Sequence, residues 1–596
     1  MTNIGMTSDQ PEWGAALVPM NILTGSRPKM STVPTPNSKI PKTNSDNGEL
    51  TNKPLFIPKG VREFKGQECG ASRGTVRQYI DAVIDEANTK QSQEELAFCI
   101  ILAFHKRDIQ DGAGERDLSY HMLIELHQHF PKTIESVLSL LVEHFGSVLD
   151  YNKIYQILHE DLKTDAPESA LKAQLSRKII ENYANLIEKG DLNALKWAPR
   201  INKSVDKLCG LGKKIAKKLY PVNSVKDENI SFKLYRKKLT SGKITTLETK
   251  MCANEWSVIS ENLSKIPGKA MKKYKAALKD ETKYGQTPGK RRHPEDDART
   301  KCRDNLIELT AKAIENPESG LIKGGKTLQP HEIISKYLQM VHSGDFDDSK
   351  IDDVDIAQWK AVIAEVQKAG NLTNTLVMSD VSGSMHGIPM QVSIALGMAV
   401  AEIQTGVWKD RLLTFSSEPE WFQFKEGQTF AGRLKAISCM NWGYSTDLHK
   451  CFDMLLDLAD QNNLSQNEIP DKVLILTDME FDEATRGHDY DATHFTKIKA
   501  KFLQKGYTCP LIIFWNLRTS KLNFQNKSSD LGVVNLAGFS IALLKGLMGE
   551  DDFDFTQITP FKMLMKTLKK KRYEIVFEKI RDVGEIDLKN SDVEFV

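Results

Sequence analysis

The chain has 596 residues, too many for one hydrophobic core at roughly 150 residues per domain, so two to four folded units are expected. Lysine and arginine number 81 against 79 aspartate and glutamate, a formal net charge of +2, which excludes a polyelectrolyte and makes any nucleic-acid signal a local one. The longest apolar run, Leu96 to Phe104, is far short of the roughly 20 residues that span a bilayer, and the first thirty residues lack a basic start followed by an apolar block. The expectation is a soluble protein with no membrane partner, in the cytoplasm or the nucleus.

Residues 1–58 are rich in Pro, Ser, Thr and Asn, lack apolar periodicity, and read as a disordered arm. From 59 to 357 the pattern is helical: Tyr79, Ile80, Val83 and Ile84, then Leu96, Ile100, Ile101 and Phe104, recur at helical spacing. Short amphipathic helices in succession suggest an α-solenoid or an irregular bundle. Between two of them, His105 to Asp117 is a glycine-containing turn dense in both charge signs. It reads either as a contact for a phosphate backbone or as a turn whose Arg and Asp residues pair with one another; the second is the commoner use of such turns.

The segment 203–301 is locally basic, with 25 Lys and Arg against 11 Asp and Glu, and carries Tyr220, Tyr235, Trp256, Tyr274 and Tyr284. Cations for phosphates and aromatic faces for unpaired bases are what RNA binding requires, although lysines on amphipathic helices also serve solubility alone. Gly320-Leu-Ile-Lys-Gly-Gly325-Lys326-Thr327 satisfies the P-loop spacing, but such a loop must leave a strand and open a helix. Here Asn305 to Ile314 reads as a helix and Pro330 interrupts the chain just after the loop, so nucleotide binding is not expected. The eight cysteines form no Cys-x-x-Cys pair and have no interleaved histidine, which argues against zinc or a disulfide framework.

An α/β unit is expected over 358–550, followed by a C-terminal extension, 551–596. Strands are read at Thr373 to Ser379, Arg411 to Phe415, Val473 to Thr477, Leu511 to Trp515 and near Gly532 to Asn535, with helices at Pro389, Thr446, Thr493 and Ser540. That alternation predicts a parallel, doubly wound (Rossmann-like) sheet, and Trp421, Phe422 and Phe424 suggest an added edge strand. The fold class is therefore multidomain, an α-helical N-terminal half followed by an α/β domain.

At the end of the first strand stand Asp380, Ser382 and Ser384, on a strand-to-helix turn where open α/β sheets bind ligands. A carboxylate and two hydroxyls with no Cys or His among them suit Mg²⁺ or Mn²⁺. One Asp and two Ser fill only part of an octahedral shell, and Thr446 and Asp478 lie at other strand or helix junctions. Alternatively, Asp380 and the serines merely cap the following helix.

Asp380-x-Ser382-x-Ser384, then a glycine-containing turn with Thr446, then a strand ending in Thr477-Asp478, resembles the metal-ion-dependent adhesion site (MIDAS) of von Willebrand factor A domains. The resemblance implies that Ser382, Ser384 and Thr446 give hydroxyls to the ion, that Asp380 and Asp478 act directly or through water, and that a partner's carboxylate takes a remaining position. The plan as a whole is similar to the TROVE (telomerase, Ro and vault) family. Arg107-Asp-Ile, Gly114-Glu-Arg-Asp117, Trp197-Ala-Pro-Arg-Ile-Asn-Lys-Ser204, Pro330-His-Glu-Ile333, Asp478-Met-Glu-Phe481 and Gly538-Phe-Ser-Ile-Ala-Leu-Leu544 look like a family of uncharacterised proteins built on that plan. The implied function is a non-enzymatic, Mg²⁺-dependent scaffold in a ribonucleoprotein, capturing an acidic residue of a protein partner while the helical half holds structured or single-stranded RNA. Only the five metal positions carry over residue by residue. The alternatives are a protein adaptor without RNA and a metal-dependent phosphotransferase, for which Ser382 stands where a second Asp is usual.

Overall fold

The computed structural model describes the chain from residue 93 onward outside 115, 163–168, 225–226, 242–245, 283–289, 325–327, 369–371, 373, 381–384, 416–418, 439–447, 479–492, 518–530, 538–559, 590 and 592, with isolated positions between 76 and 87. The arm at 1–58 and the helix expected at Ser540 lie outside the described residues.

The N-terminal half is helical. Its first core runs through helices Gln93–Arg107, Arg116–His129, Pro131–Leu140, Val148–Asp161 and Ser169–Glu188 to Leu239. Gln93–Arg107 is buried on every side from Leu96 onward, because helices of both chain ends surround it. The last helices, Pro560–Leu568 and Lys571–Val583, return to this core: Leu568, Tyr573, Val576, Phe577 and Ile580 are buried in it, and the Tyr573 ring stacks on Phe145 with centroids 5.5 Å apart. The segment expected to be a C-terminal extension is thus an integral layer of the N-terminal body.

A second helical core gathers Trp256, Ile259, Leu263, Met271, Leu278, Cys302 and Leu306 with Val354 and Ala357. The helix supplying the last two, Asp353–Lys368, also sends Trp359, Val362, Ile363 and Val366 into the core of the α/β domain. The boundary expected at 358 falls inside this one continuous helix.

Among the described residues the sheet has six strands: β1 (Thr375–Asp380), β2 (Arg411–Phe415), β3 (Trp421–Gln423), β4 (Lys472–Thr477), β5 (Leu511–Asn516) and β6 (Val533–Ala537). Their order is β3-β2-β1-β4-β5-β6, so succession runs outward in both directions from the β1/β4 junction. All neighbours are parallel except β2 and β3. The sheet is therefore mixed where a parallel one was expected, because residues 416–420 are too few for the crossover that a parallel neighbour requires.

Strand side chains alternate between two cores. Val377, Leu474, Leu476, Ile513 and Trp515 face one layer, while Leu376, Met378, Val473, Ile475, Ile512 and Phe514 face the other. Burial on both faces explains why these strands read as continuous apolar runs. The first layer holds a central helix, Ile388–Ile403, lying between the sheet and helices Pro330–His342 and Asp353–Lys368. It presses on β1 so closely that a Cβ at Gly397 would stand 2.8 Å from the Ser379 hydroxyl. The second layer is built on helices Leu448–Gln461 and Thr493–Gln504.

Candidate functional site

The carboxyl end of the sheet is assembled by strand register. Ser379 is paired with Leu476, which sets Asp380 beside Thr477 on the neighbouring strand. Alternation from Leu376 and Met378 on β1, and from Val473 and Ile475 on β4, turns both side chains to the same face. Accordingly the Thr477 hydroxyl donates to Asp380 Oδ2 at 2.7 Å. Asp380 is fully buried, and its carbonyl accepts from the Ser393 hydroxyl of the central helix at 3.4 Å. Asp478 follows directly on β4 and is 1 % exposed. Asn516, opposite Thr477 on β5, is fully buried at the same edge.

Two of the five sequence-derived positions, Asp380 and Asp478, are thereby brought to adjacent strand ends. Ser382, Ser384 and Thr446 lie outside the described residues. The described chain flanking them ends at this edge: β1 delivers residue 380, and the central helix starts at Ile388. Helix Leu448–Gln461 precedes β4 and runs back along the sheet, so its first turn is at the carboxyl side. Among the described residues no group of three or more His, Cys, Asp and Glu is placed to hold a metal. The two carboxylates present are oxygen donors, the chemistry that fits a hard divalent ion and not a zinc-type set.

The charged turn at 105–117 is used structurally, but not as a self-paired loop. Arg107, 2 % exposed, makes a two-pronged bond to Asp150 at 2.9 and 3.0 Å, and the Tyr120 hydroxyl donates to the same carboxylate at 2.5 Å. Asp108, fully buried, is held by Arg572 at 2.6 and 3.2 Å and by the Tyr573 hydroxyl at 3.2 Å. The Tyr573 hydroxyl also lies 3.0 Å from His105 Nδ1. Burial pushes the His105 imidazole well below its ordinary range, helped by Lys106 and Lys570, so it is neutral at pH 7. The partners come from 43 to 468 residues away.

In the basic segment, aromatics expected as stacking faces are mostly taken up within the chain. Tyr235 is fully buried and donates to the Pro199 carbonyl at 3.1 Å. Trp256 is 2 % exposed, with the Arg299 guanidinium 4.4 Å from its ring centre. Tyr274 is half-buried and donates to Glu248 at 2.8 Å; Tyr284 is outside the described residues. Lysines of the segment are also engaged: Lys275, together with Lys336 from outside it, approaches the fully buried Asp355 at 2.5 and 3.1 Å, with the Tyr337 hydroxyl at 2.5 Å, and Lys279 bonds Asp352 at 2.8 Å. What remains open beside this segment is Trp197, 44 % exposed, with Lys196 Nζ 4.6 Å from its ring centre.

The P-loop-like stretch follows helix Asp297–Glu315 and the short turn Pro317–Ser319, with no strand before it. Its first part is packed tightly: Ile322 is 2 % exposed, and a Cβ at Gly324 would meet the Gln358 carbonyl at 2.5 Å. Gly325, Lys326 and Thr327 lie outside the described residues. No helix among the described residues is long and apolar enough to cross a membrane.

Residues 374–581 match the model of a domain of unknown function, DUF7788. That span joins the sheet to the helix Lys571–Val583 packed on the N-terminal body. The chain is also similar to Uncharacterized protein L728 of Acanthamoeba polyphaga mimivirus, 29% identical over 491 residues covering 80% of each chain. No solved structure matches.

Proposed function

We propose that the carboxyl edge of the sheet is a divalent-cation site of the von Willebrand A adhesion type, holding Mg²⁺ or Mn²⁺ through Asp380, Ser382, Ser384, Thr446 and Asp478. The observation that carries the reading is the placement of two buried carboxylates, Asp380 and Asp478, at the ends of the adjacent strands β1 and β4, where strand order reverses and open α/β sheets bind ligands. When bound, such an ion offers a coordination position to a carboxylate from outside. The chain's own contribution is orientation: Thr477 fixes the Asp380 carboxylate, and Ser393 ties the backbone of β1 to the central helix.

On this reading the protein is a non-enzymatic scaffold that captures an acidic side chain of a protein partner, within a TROVE-like plan whose helical half contacts RNA. Burial of Tyr235 and Trp256 favours a second form of the reading, an adaptor that binds protein alone. Affinity capture with and without EDTA, repeated with Asp380→Ala, tests the first part: capture of an acidic-motif partner should be lost in both, and capture unaffected by either would refute it. Titration with structured and single-stranded RNA at rising salt separates the two forms. Phosphate-driven binding should weaken steeply with salt, and failure to bind RNA even at low salt leaves the adaptor.

A further inference from the structure

The opposite end of the sheet carries a second polar cluster. A cavity of about 240 Å³ opens between the turn leading into β2 and the turn leaving β3, lined by Lys409, Asp410, Arg411, Gln423, Phe424 and Glu426. The turn is fixed to the central helix, since Asp410 donates its N–H to the Ala401 carbonyl at 3.1 Å and accepts from Phe424 N–H at 2.8 Å. Asp410 adopts a left-handed φ of +59° and is 6 % exposed. Its carboxylate is matched by Arg433 at 2.6 Å, and that guanidinium lies 4.8 Å from the centre of the Phe424 ring. Arg433 therefore backs the cavity from behind two of its lining residues, with its side chain nine-tenths buried.

Two donors here make no hydrogen bond within the protein although both are buried, Arg411 Nε and Arg433 Nη1. Buried donors without an acceptor are uncommon, and here Arg411 lies in the wall of the cavity and Arg433 behind it. Because Asp410 and Arg433 neutralise each other, the charge facing the space comes from Lys409 and Arg411 against Glu426 alone. Guanidinium groups present planar forks suited to oxyanions. The volume is below the roughly 300 Å³ at which drug-sized ligand pockets begin. We propose that this cavity binds a small oxyanion, a phosphate or carboxylate group, between Arg411 and Lys409, with the Asp410–Arg433 pair as its neutral backing. Arg411 opens β2, whereas the candidate cation site lies beyond its other end, about 13 Å away along the strand. The two sites are thus separate, and this inference does not rest on the metal reading.

Calorimetric titration of the full-length protein with inorganic phosphate, and in a parallel arm with acetate, tests it. Both arms contain EDTA, to remove metal-bridged phosphate, and chloride to hold ionic strength constant. Saturable binding is expected in at least one arm, and the preferred anion identifies the ligand class. Arg411→Gln, at a half-exposed position, should weaken binding about tenfold or more. Glu426→Gln, at an exposed position, should tighten it because a repelling charge is removed. No saturable binding of either anion, or binding indifferent to both substitutions, overturns the proposal.

Discussion

The helical half and the α/β domain use their charged residues in opposite ways. In the helical half, buried carboxylates act as internal rivets: Asp150 with Arg107, Asp108 with Arg572, and Asp355 with Lys275 and Lys336 join helices remote in sequence. In the α/β domain the layers are apolar, and polar groups collect at strand ends, Asp380, Thr477, Asp478 and Asn516 at one edge and Asp410, Arg411 and Arg433 at the other. Helices can bring long cationic side chains to each other along their whole length. A sheet buried on both faces has room for such groups only where its strands stop.

The comparison is broken most sharply at Arg107. Arg107→Ala leaves Asp150 buried beside Tyr120 without its cation and should destabilise the helical body by about 3–5 kcal/mol. Urea unfolding followed by circular dichroism measures this, and a variant as stable as the parent would show that the rivets carry no weight.

A second test is pH. Burial, with Lys272 and Lys269, lowers His331 to about 4 from an ordinary 6.5, against the opposing pull of Glu332. Its folded value is the lower one, so the unfolded chain binds the extra proton as pH falls below 6.5. The associated stability is intact above 6.5 and is lost progressively toward pH 4, up to on the order of 3 kcal/mol. Unfolding midpoints at pH 7.5, 6 and 5 should decline, and His331→Gln should flatten that decline.

A smaller effect is expected in the sheet. Gly397→Ala places a methyl group 2.8 Å from the Ser379 hydroxyl and should cost about 1–3 kcal/mol through displacement of the central helix. Adding Ser379→Ala removes the hydroxyl it meets, so the double variant should recover part of the loss; strict additivity would place the strain elsewhere.

Much of the α/β domain was legible because its strands are short apolar runs between turns. The expected bounds of Arg411–Phe415 match to the residue, and those of the other strands to within one or two at either end. The direction of β3 was missed although the short link at 416–420 that forces it antiparallel stands in the sequence. Asp380 and Asp478 were legible as carboxylates ending strands; that Thr477 orients Asp380 depends on register, which a single sequence does not display. The rivets were invisible for the same reason. Nothing near Asp108 indicates that its cation is Arg572, and a basic, aromatic-containing segment gives no sign that Tyr235 and Trp256 face inward. The Arg411–Arg433 pocket was missed because its parts come from two turns and a helix.

The central claim is that the carboxyl edge of the sheet holds one divalent ion. The direct measurement is Mn²⁺ binding by electron paramagnetic resonance on the purified protein, alongside Asp380→Ala and Asp478→Ala variants checked for folding. One site is expected, competed by Mg²⁺ and lost in each variant. Stoichiometric Mn²⁺ binding that survives both substitutions, or none in the parent protein, contradicts it.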